Sequence, residues 1–108
     1  MSYNIKTTEV FEKQAKRLIK KYASLKSELL DLFNNLKSGM EMGTPIGSSC
    51  YKIRLAISSK GKGKSGGARV IINVVLTEGD IYLLTIYDKS EKQNLTQKEL
   101  EDLLKGLF

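Results

Sequence analysis

The chain contains no histidine or tryptophan, and it has a single cysteine and a single proline among its 108 residues. One cysteine without histidine cannot supply the usual ligands of a zinc site, which sets zinc aside. We expect no metal and no cofactor. Cys50 has no partner for an internal disulfide, and its segment holds no thiol-activating group, which predicts a packed, inert side chain. Lysine, arginine, tyrosine and the carboxylates remain as candidate catalytic groups.

Long apolar runs are also missing. The longest run, residues 70–76, is interrupted by Asn73 and is far too short to cross a bilayer core of about 30 Å. The opening MSYNIKTTEVFEKQ lacks the basic-then-apolar layout of a secretory signal. We therefore expect a cytoplasmic protein without membrane contact, folded as one domain over residues 1–108.

Positive charge is abundant. The chain has 18 lysines and arginines against 12 acidic residues, a formal net charge of +6. This excess favours a polyanionic partner, either nucleic acid or an acidic protein, and charge alone does not separate the two.

Apolar residues recur at helical spacing in the first half of the chain. After a short strand at residues 3–7, Thr8 is placed to cap a first helix, and Ser24 is placed to cap a second that ends at Gly39. Residues 38–49 are rich in glycine and lack periodicity, which predicts a loop. Near the C-terminus, Thr96 and Glu99 have the spacing of a capping box and predict a short closing helix.

The second half is rich in β-branched and aromatic residues. Residues 51–57, 68–76 and 81–87 are predicted strands, with a tight turn at residues 78–80 between the last two. The predicted fold is α+β: a small, mainly antiparallel sheet packed against an N-terminal helical hairpin, with a short C-terminal helix.

Strand alternation predicts a cationic surface. Lys52 and Arg54 fall on the side of their strand opposite to its isoleucines, and Arg69 falls opposite to the apolar set of the next strand. That apolar set is Val70, Ile72, Val74 and Leu76. We expect the three cations to converge on the less covered face, outside the core. Residues 51–69 hold six cations and no carboxylate, which favours phosphate binding over a merely solvated face.

The segment GKGKSGG at residues 61–67 ends like a phosphate-binding loop. Ser58 stands where the first glycine should be, and a strand follows instead of a helix, so that interpretation is rejected. The segment instead predicts a flexible basic hairpin loop whose Lys60, Lys62 and Lys64 contact an RNA backbone. A solvated hairpin tip is the alternative.

Cleavage of RNA through attack by its 2′-hydroxyl requires a base, an acid and charge stabilisation at the phosphate. Arg54 and Arg69 suit charge stabilisation, because a guanidinium binds phosphate oxygens bidentately. Lys52 and Lys89 are the candidates for base and acid. Tyr87 is a candidate for stacking on a base, or for packing beside the sheet.

The ordered set YKIRL (residues 51–55), GARVI (67–71) and LLTIYDKSE (83–91), preceded by a basic helical hairpin, resembles the RelE/HigB superfamily of bacterial toxins from type II toxin–antitoxin modules. The Gly-Lys-rich loop is most similar to the HigB-type branch. The resemblance implies a RelE-like fold and an endoribonuclease that enters the ribosomal A site and cleaves messenger RNA. It also implies a cognate antitoxin that docks on the helical hairpin, and operator DNA bound only through the toxin–antitoxin complex.

By position, the resemblance assigns Lys52, Arg54, Arg69 and Lys89 to catalysis. The chain departs from the RelE-type pattern at Ser90, where an arginine is common, and at Thr96, where a tyrosine is common. Lys92 is the candidate replacement for the missing charge, and the identity of acid and base stays open. Two alternatives remain: a ParE-like toxin that inhibits DNA gyrase without a nuclease site, and a non-catalytic RNA- or ribosome-binding module.

Overall fold

The computed structural model describes residues 2–40, 42–61, 63 and 66–107. Five strands in this part of the chain form one sheet. They are β1 (Asn4–Thr7), β2 (Thr44–Gly47), β3 (Cys50–Leu55), β4 (Ala68–Val75) and β5 (Asp80–Asp88). Their order is β1-β5-β4-β3-β2, with β1 parallel to β5 and the other neighbours antiparallel. The predicted meander, β3 to β5, is confirmed.

Three α-helices accompany the sheet in the described residues: α1 (Glu9–Lys21), α2 (Leu25–Lys37) and α3 (Gln97–Lys105). The Thr8 hydroxyl accepts a hydrogen bond from the Phe11 N–H and caps α1, as predicted. Both hydrogen bonds of the predicted capping box between Thr96 and Glu99 are present at the start of α3. Ser24 precedes α2 but does not cap it with its side chain: the hydroxyl donates to the Glu28 carboxylate at 3.0 Å and accepts from the Ser59 N–H at 3.0 Å.

The main core lies between the α1–α2 hairpin and one face of the sheet. Its fully buried members include Leu18, Leu25, Leu36, Ile53, Val70, Ile72, Ile81, Leu83 and Ile86. Burying one such side chain contributes about 2 kcal/mol relative to leaving it in water. The apolar faces of α1 and α2 therefore pack on the apolar face of the sheet, as the amphipathic pattern of the sequence predicts.

A second apolar cluster occupies the opposite face of the sheet, under α3. Leu100 of α3 packs there with Cys50, Ile71, Leu84 and Tyr87. Leu84 joins this cluster because the register shifts by one residue, so that Ile71 pairs with Thr85 and Ile72 with Leu83. The α3 side of the sheet is therefore less extensively packed than the side that contacts α1 and α2, but part of it is buried. Cys50 is buried, which raises the pKa of its thiol and agrees with a packed cysteine.

Residues 38–49 are not one continuous loop, because β2 pairs with β3 inside this range. Strand β2 lies at the edge of the sheet, where a proline is tolerated, so Pro45 is compatible with this strand. Gly43 precedes β2 at φ +81°, and a Cβ there would lie 2.3 Å from the Lys52 carbonyl oxygen. Only glycine allows this close approach.

Two further predictions are corrected. Strand β4 ends at Val75, so Leu76 lies in the turn to β5 and is 67% exposed instead of sharing the core face. The predicted strand at residues 51–57 ends at Leu55, and a short 3-10 helix follows at Ser58–Lys60. This turn is tethered, because Ser58 donates from its N–H and its hydroxyl to the Glu28 carboxylate, both at 2.8 Å. The described start of the predicted flexible loop is therefore ordered.

In the part of the chain that the structure describes, every helix is too short or too polar to cross a membrane.

Candidate nucleic-acid interface

The strand register aligns three side chains in one row across the sheet. Arg54 of β3 lies opposite Arg69 of β4, and Arg69 lies opposite Tyr87 of β5. Residues directly opposite each other point to the same side, and Lys52 points to that side as well, two residues before Arg54. The structure thus brings together the three cations that alternation placed on one face. We call Lys52, Arg54, Arg69 and Tyr87 the cationic face; it lies on the α3 side of the sheet.

Arg69 is the buried member of the cationic face. Its side chain donates to the Ala68 carbonyl oxygen at 3.1 Å, and only 4% of the residue is exposed. Burial, and then the nearby Arg54, lower the pKa of Arg69 below its ordinary value. A guanidinium nevertheless stays protonated at neutral pH. The expectation that Arg69 lies outside the core is wrong, because the side chain is covered although it belongs to the predicted face.

Arg54 is exposed and Lys52 is half-buried. Within the described ranges, no carboxylate lies at salt-bridge distance from Lys52 or Arg54. Like charges placed directly opposite each other on neighbouring strands destabilise a sheet. The Arg54–Arg69 pair therefore carries an electrostatic cost that an anionic ligand would relieve.

Tyr87 ends the row on β5 and is 7% exposed. Burial raises the pKa of its phenol, while the nearby charges of Arg69 and Lys92 act in the opposite direction. Most of the ring is covered by the cluster under α3, so a stacked base would reach only its outer edge.

The segment from residue 89 to residue 96 carries the other predicted cations. The Lys89 ammonium donates to the Gln93 carbonyl oxygen at 2.6 Å, and Lys92 forms an ion pair with Glu99. Hydrogen bonds from Lys92 and then from the Thr96 N–H lower the pKa of Glu99 to about 2. Glu99 is therefore ionised at neutral pH and holds Lys92 against α3.

Asp88, the last residue of β5, is the centre of a polar network with a fully covered carboxylate. It accepts hydrogen bonds from the Lys60 ammonium (2.6 Å), the Tyr22 hydroxyl (2.5 Å) and the Ser90 N–H (2.9 Å). Burial alone would raise the pKa of Asp88, but the bonds from Lys60, Tyr22 and Ser90 hold it well below its usual range. We call Asp88, Tyr22, Lys60, Ser90 and the more distant Lys21 the Asp88 network.

The structure places Lys60 in the Asp88 network and not on the cationic face. Its side chain is 10% exposed and also bonds the Ser90 hydroxyl at 3.0 Å. Sequence reasoning assigned Asp88 no role. The visible signal was a carboxylate at the C-terminal end of an apolar strand, with Lys89 and Lys92 shortly after it.

Both departures from the RelE-type pattern have structural partners here. Ser90 donates from its N–H and its hydroxyl to Asp88, and Thr96 caps α3. Lys62 and Lys64, predicted to contact RNA, lie outside the described residues. Across residues 2–40, 42–61, 63 and 66–107, no group of three or more acidic, cysteine or histidine side chains is arranged to hold a metal ion.

Comparisons with known proteins identify the family and the fold. The chain matches the family model described as RelE toxin of the RelE/RelB toxin–antitoxin system over residues 5–106. Isolated Escherichia coli RelE shares 16% identity with a TM-score of 0.59, over 99% of this chain and 100% of that chain. The RelBE2 toxin–antitoxin complex of Mycobacterium tuberculosis shares 13% identity with a TM-score of 0.60, over 82% of this chain and 99% of that chain.

A third relative is a mutant of E. coli RelE in complex with an antitoxin RelBc peptide, at 15% identity and a TM-score of 0.50, covering 94% of each chain. At these identities the structural likeness shows the fold. None of the matches singles out the HigB-like branch, which stays a prediction. Because the family match extends over nearly the whole length, the chain belongs to the RelE toxin family of type II toxin–antitoxin systems.

Proposed function

We propose that this protein is an endoribonuclease that cleaves messenger RNA on the ribosome and so blocks translation. Ribosome-dependent cleavage of messenger RNA is the known activity of RelE. The observation that carries the proposal is the Arg54–Arg69 pair, in which a nearly covered arginine faces a second arginine across β3 and β4. A backbone phosphate seated on this pair offsets the repulsion and gains charge-assisted hydrogen bonds.

In the proposed reaction, a 2′-hydroxyl of the RNA attacks its neighbouring phosphorus, and the bond to the 5′-oxygen breaks. Negative charge develops on the non-bridging phosphate oxygens in the transition state. Arg69 and Arg54 stabilise that charge, and a group that is already fixed in place stabilises it most effectively. The products are a 2′,3′-cyclic phosphate and a 5′-hydroxyl.

Proton transfer needs one group on each side of the phosphate. Lys52 precedes the arginine row on β3, and Lys89 follows it beyond β5, so the two amines flank the row along the sheet. We assign Lys52 as the base candidate and Lys89, oriented by the Gln93 carbonyl, as the acid candidate. We propose that Lys92 and the outer edge of Tyr87 contact the RNA beside the scissile phosphate.

The first experiment maps cuts in one defined messenger RNA by primer extension, with and without programmed ribosomes. The wild-type protein is expected to cut only when ribosomes are present, and Arg69→Ala is expected to lose at least about a hundredfold in rate. Lys13→Gln, an exposed lysine of α1, is the charge-matched control and should cut normally.

Equal cutting by folded Arg69→Ala would overturn the site. If the wild type makes no cuts under any condition, a gyrase supercoiling assay separates the ParE-like alternative, which inhibits, from a passive ribosome-binding module, which does not.

The proposed chemistry uses only side chains and is therefore metal-independent. A phosphorothioate at the scissile position should slow cleavage, and added Mn²⁺ or Cd²⁺ should not restore the rate. Rescue by a thiophilic metal would show an ion bound to the phosphate oxygen and would contradict this assignment.

The proposed partner is a cognate antitoxin that acts in the cytoplasm and binds operator DNA together with this toxin. Its docking surface is a groove of about 500 Å³ between α1 and α2. Phe11, Leu29, Leu30 and Phe33 line the groove, with Lys16, Lys20 and Lys26 among its polar residues. An amphipathic helix with acidic flanks complements this surface.

Leu30 and Leu76 provide a matched pair of exposed leucines, at 54% and 67% exposure. Leu30→Asp should weaken antitoxin binding by at least about tenfold, because it places a carboxylate in an apolar groove. Leu76→Asp, in the β4–β5 turn, should leave the affinity unchanged. Isothermal titration with the purified antitoxin checks both, and equal affinities for the two variants would place the docking site elsewhere.

A further inference from the structure

A small pocket lies beside the arginine row on the same face of the sheet. It has a volume of about 150 Å³ and is bounded by Ile46, Lys52, Ile71 and Leu100. Asn94, Leu95, Thr96 and Gln97 of the segment leading into α3 form its remaining wall. Water occupies about 30 Å³ per molecule in the liquid, so the pocket has room for a single ring system and not for a helix or a peptide strand.

We infer that this pocket holds one base of the bound RNA and that Asn94 and Gln97 read the edge of that base, with adenine preferred. The inference rests on the proposed function and adds a specificity determinant to it. Single-stranded bases are commonly recognised in this way, with the ring packed on a protein surface and its edge hydrogen-bonded.

The pocket combines the two features that such recognition needs. Its accessible apolar lining comes from the half-buried Ile46 and Leu95, which pack over the buried Ile71 and Leu100, and an apolar wall of this kind packs against the face of a base. Its rim carries the exposed side-chain amides of Asn94 and Gln97. Neither amide makes a hydrogen bond to any of the residues that the structure describes, so both are available to a ligand.

The presence of two amides favours adenine. Each amide offers one acceptor and one donor side by side, and adenine presents the complementary amino group and ring nitrogen on two edges, whereas cytosine presents them on one. The Thr96 hydroxyl does not compete, because it is engaged in capping α3. Lys52 would favour the oxygen of guanine, but the proposed function assigns its amine to the attacking 2′-hydroxyl as the base candidate.

The location joins the pocket to the cleavage site. Lys52 and Ile71 form one cross-strand pair, and Arg54 and Arg69 form the pair two residues along the strands. Two residues of a strand span about 7 Å. A base in the pocket therefore belongs to a nucleotide next to the phosphate on the arginine row.

Binding of uncleavable RNA tests the pocket without any cleavage. The probes are 2′-O-methyl trinucleotides with uridine at both ends and adenosine, inosine or guanosine in the middle. The wild type should bind the adenosine probe about tenfold more tightly than the inosine probe, which lacks the amino group. In Asn94→Ala and in Gln97→Ala, the affinities for the adenosine and inosine probes should become about equal.

Gln93→Ala is the matched control, since Gln93 is an exposed amide of the same segment that does not line the pocket. It should keep the ratio, and unchanged thermal melting should show that all three variants are folded. Equal wild-type affinities, a preference for guanosine, or an unchanged ratio in both pocket variants would each overturn the inference.

Sequencing of the cut ends on translating ribosomes supplies a second readout. Adenine should be enriched beside the cuts of the wild type, and the enrichment should disappear among the cuts that Gln97→Ala still makes. Retained enrichment in that variant would overturn the inference. A wild type that cuts no RNA would instead overturn the proposed function, and the binding ratios would still decide the pocket.

Discussion

Arg54 and Arg69 illustrate a residue pair whose geometry opposes stability. They lie directly opposite each other on β3 and β4, and burial of Arg69 weakens the screening of its charge by water. Natural proteins accept local costs of this kind mainly where function requires them. We therefore interpret the pair as the basis of the proposed phosphate site.

Arg54→Gln should separate stability from activity. Removing the exposed charge ends the repulsion, so the free energy of unfolding should rise by roughly 0.5 kcal/mol, while messenger RNA cleavage should fall at least about tenfold. Urea denaturation and primer extension measure the two effects. Lys13→Gln is the control for loss of one positive charge, and lower stability of Arg54→Gln would contradict the proposed repulsion.

Asp88, unlike the Arg54–Arg69 pair, is expected to stabilise the fold, because its buried carboxylate accepts hydrogen bonds from several donors. Asp88→Asn should lower the free energy of unfolding by about 3 kcal/mol, because it leaves the nearly covered Lys60 ammonium without its anion. Lys21→Ala removes a half-exposed member of the same network and should have little effect. Urea denaturation at neutral pH distinguishes the two, and equal losses would contradict the central role of Asp88.

The same residue predicts a pH dependence. Folding holds the pKa of Asp88 below its unfolded value, so its stabilising contribution is complete above about pH 4 and is lost as the pH falls through the lower, folded pKa. The stability gap between wild type and Asp88→Asn should therefore narrow on going from neutral pH to about pH 3. A gap that is constant over this range would mean that charge is not the cause.

Helix α3 links the second core to the site, because Leu100 packs under the sheet and Glu99 holds Lys92. Thr96→Ala removes the side-chain cap and should lower the free energy of unfolding by about 1 kcal/mol. Thr77→Ala, in the exposed β4–β5 turn, is the matched control and should be neutral. Chemical denaturation of both variants is the measurement; an equal effect would show that the cap does not stabilise α3.

Helices and strands with a strong apolar periodicity were predictable from the sequence, and strand β2, which lacks such a periodicity, was not. Helices α1 and α2 and strands β3 to β5 follow apolar patterns that local geometry enforces. Strand β2 contains Pro45 and Gly47 in four residues, so its local preference points to a loop. Pairing with β3, a tertiary contact, makes it a strand.

The net charge of +6 should appear in binding as a strong dependence on salt. If RNA neutralises three cations of the protein, the logarithm of the association constant should fall with the logarithm of salt concentration with a slope of about −2. Fluorescence anisotropy with a single-stranded RNA, from about 50 to 200 mM salt, measures this slope.

Arg69→Ala should make the slope shallower by about 0.7, the share of one phosphate contact on a single strand. Lys13→Gln, which removes the same charge from an exposed position of α1 and not from the cationic face, should leave the slope unchanged. A flat slope for the wild type would contradict the cationic face as an RNA-binding surface.

The sequence by itself determined the fold class, the helical hairpin, the meander and the face that carries Lys52, Arg54 and Arg69. These follow from periodicity, because the side-chain direction in a strand or helix is set by local backbone geometry. Tertiary structure alone decided that Arg69 is covered, that Lys60 turns to Asp88, and that Asn94 and Gln97 border a pocket. Burial, pairing and pocket shape depend on residues distant in the chain, and no local pattern contains them.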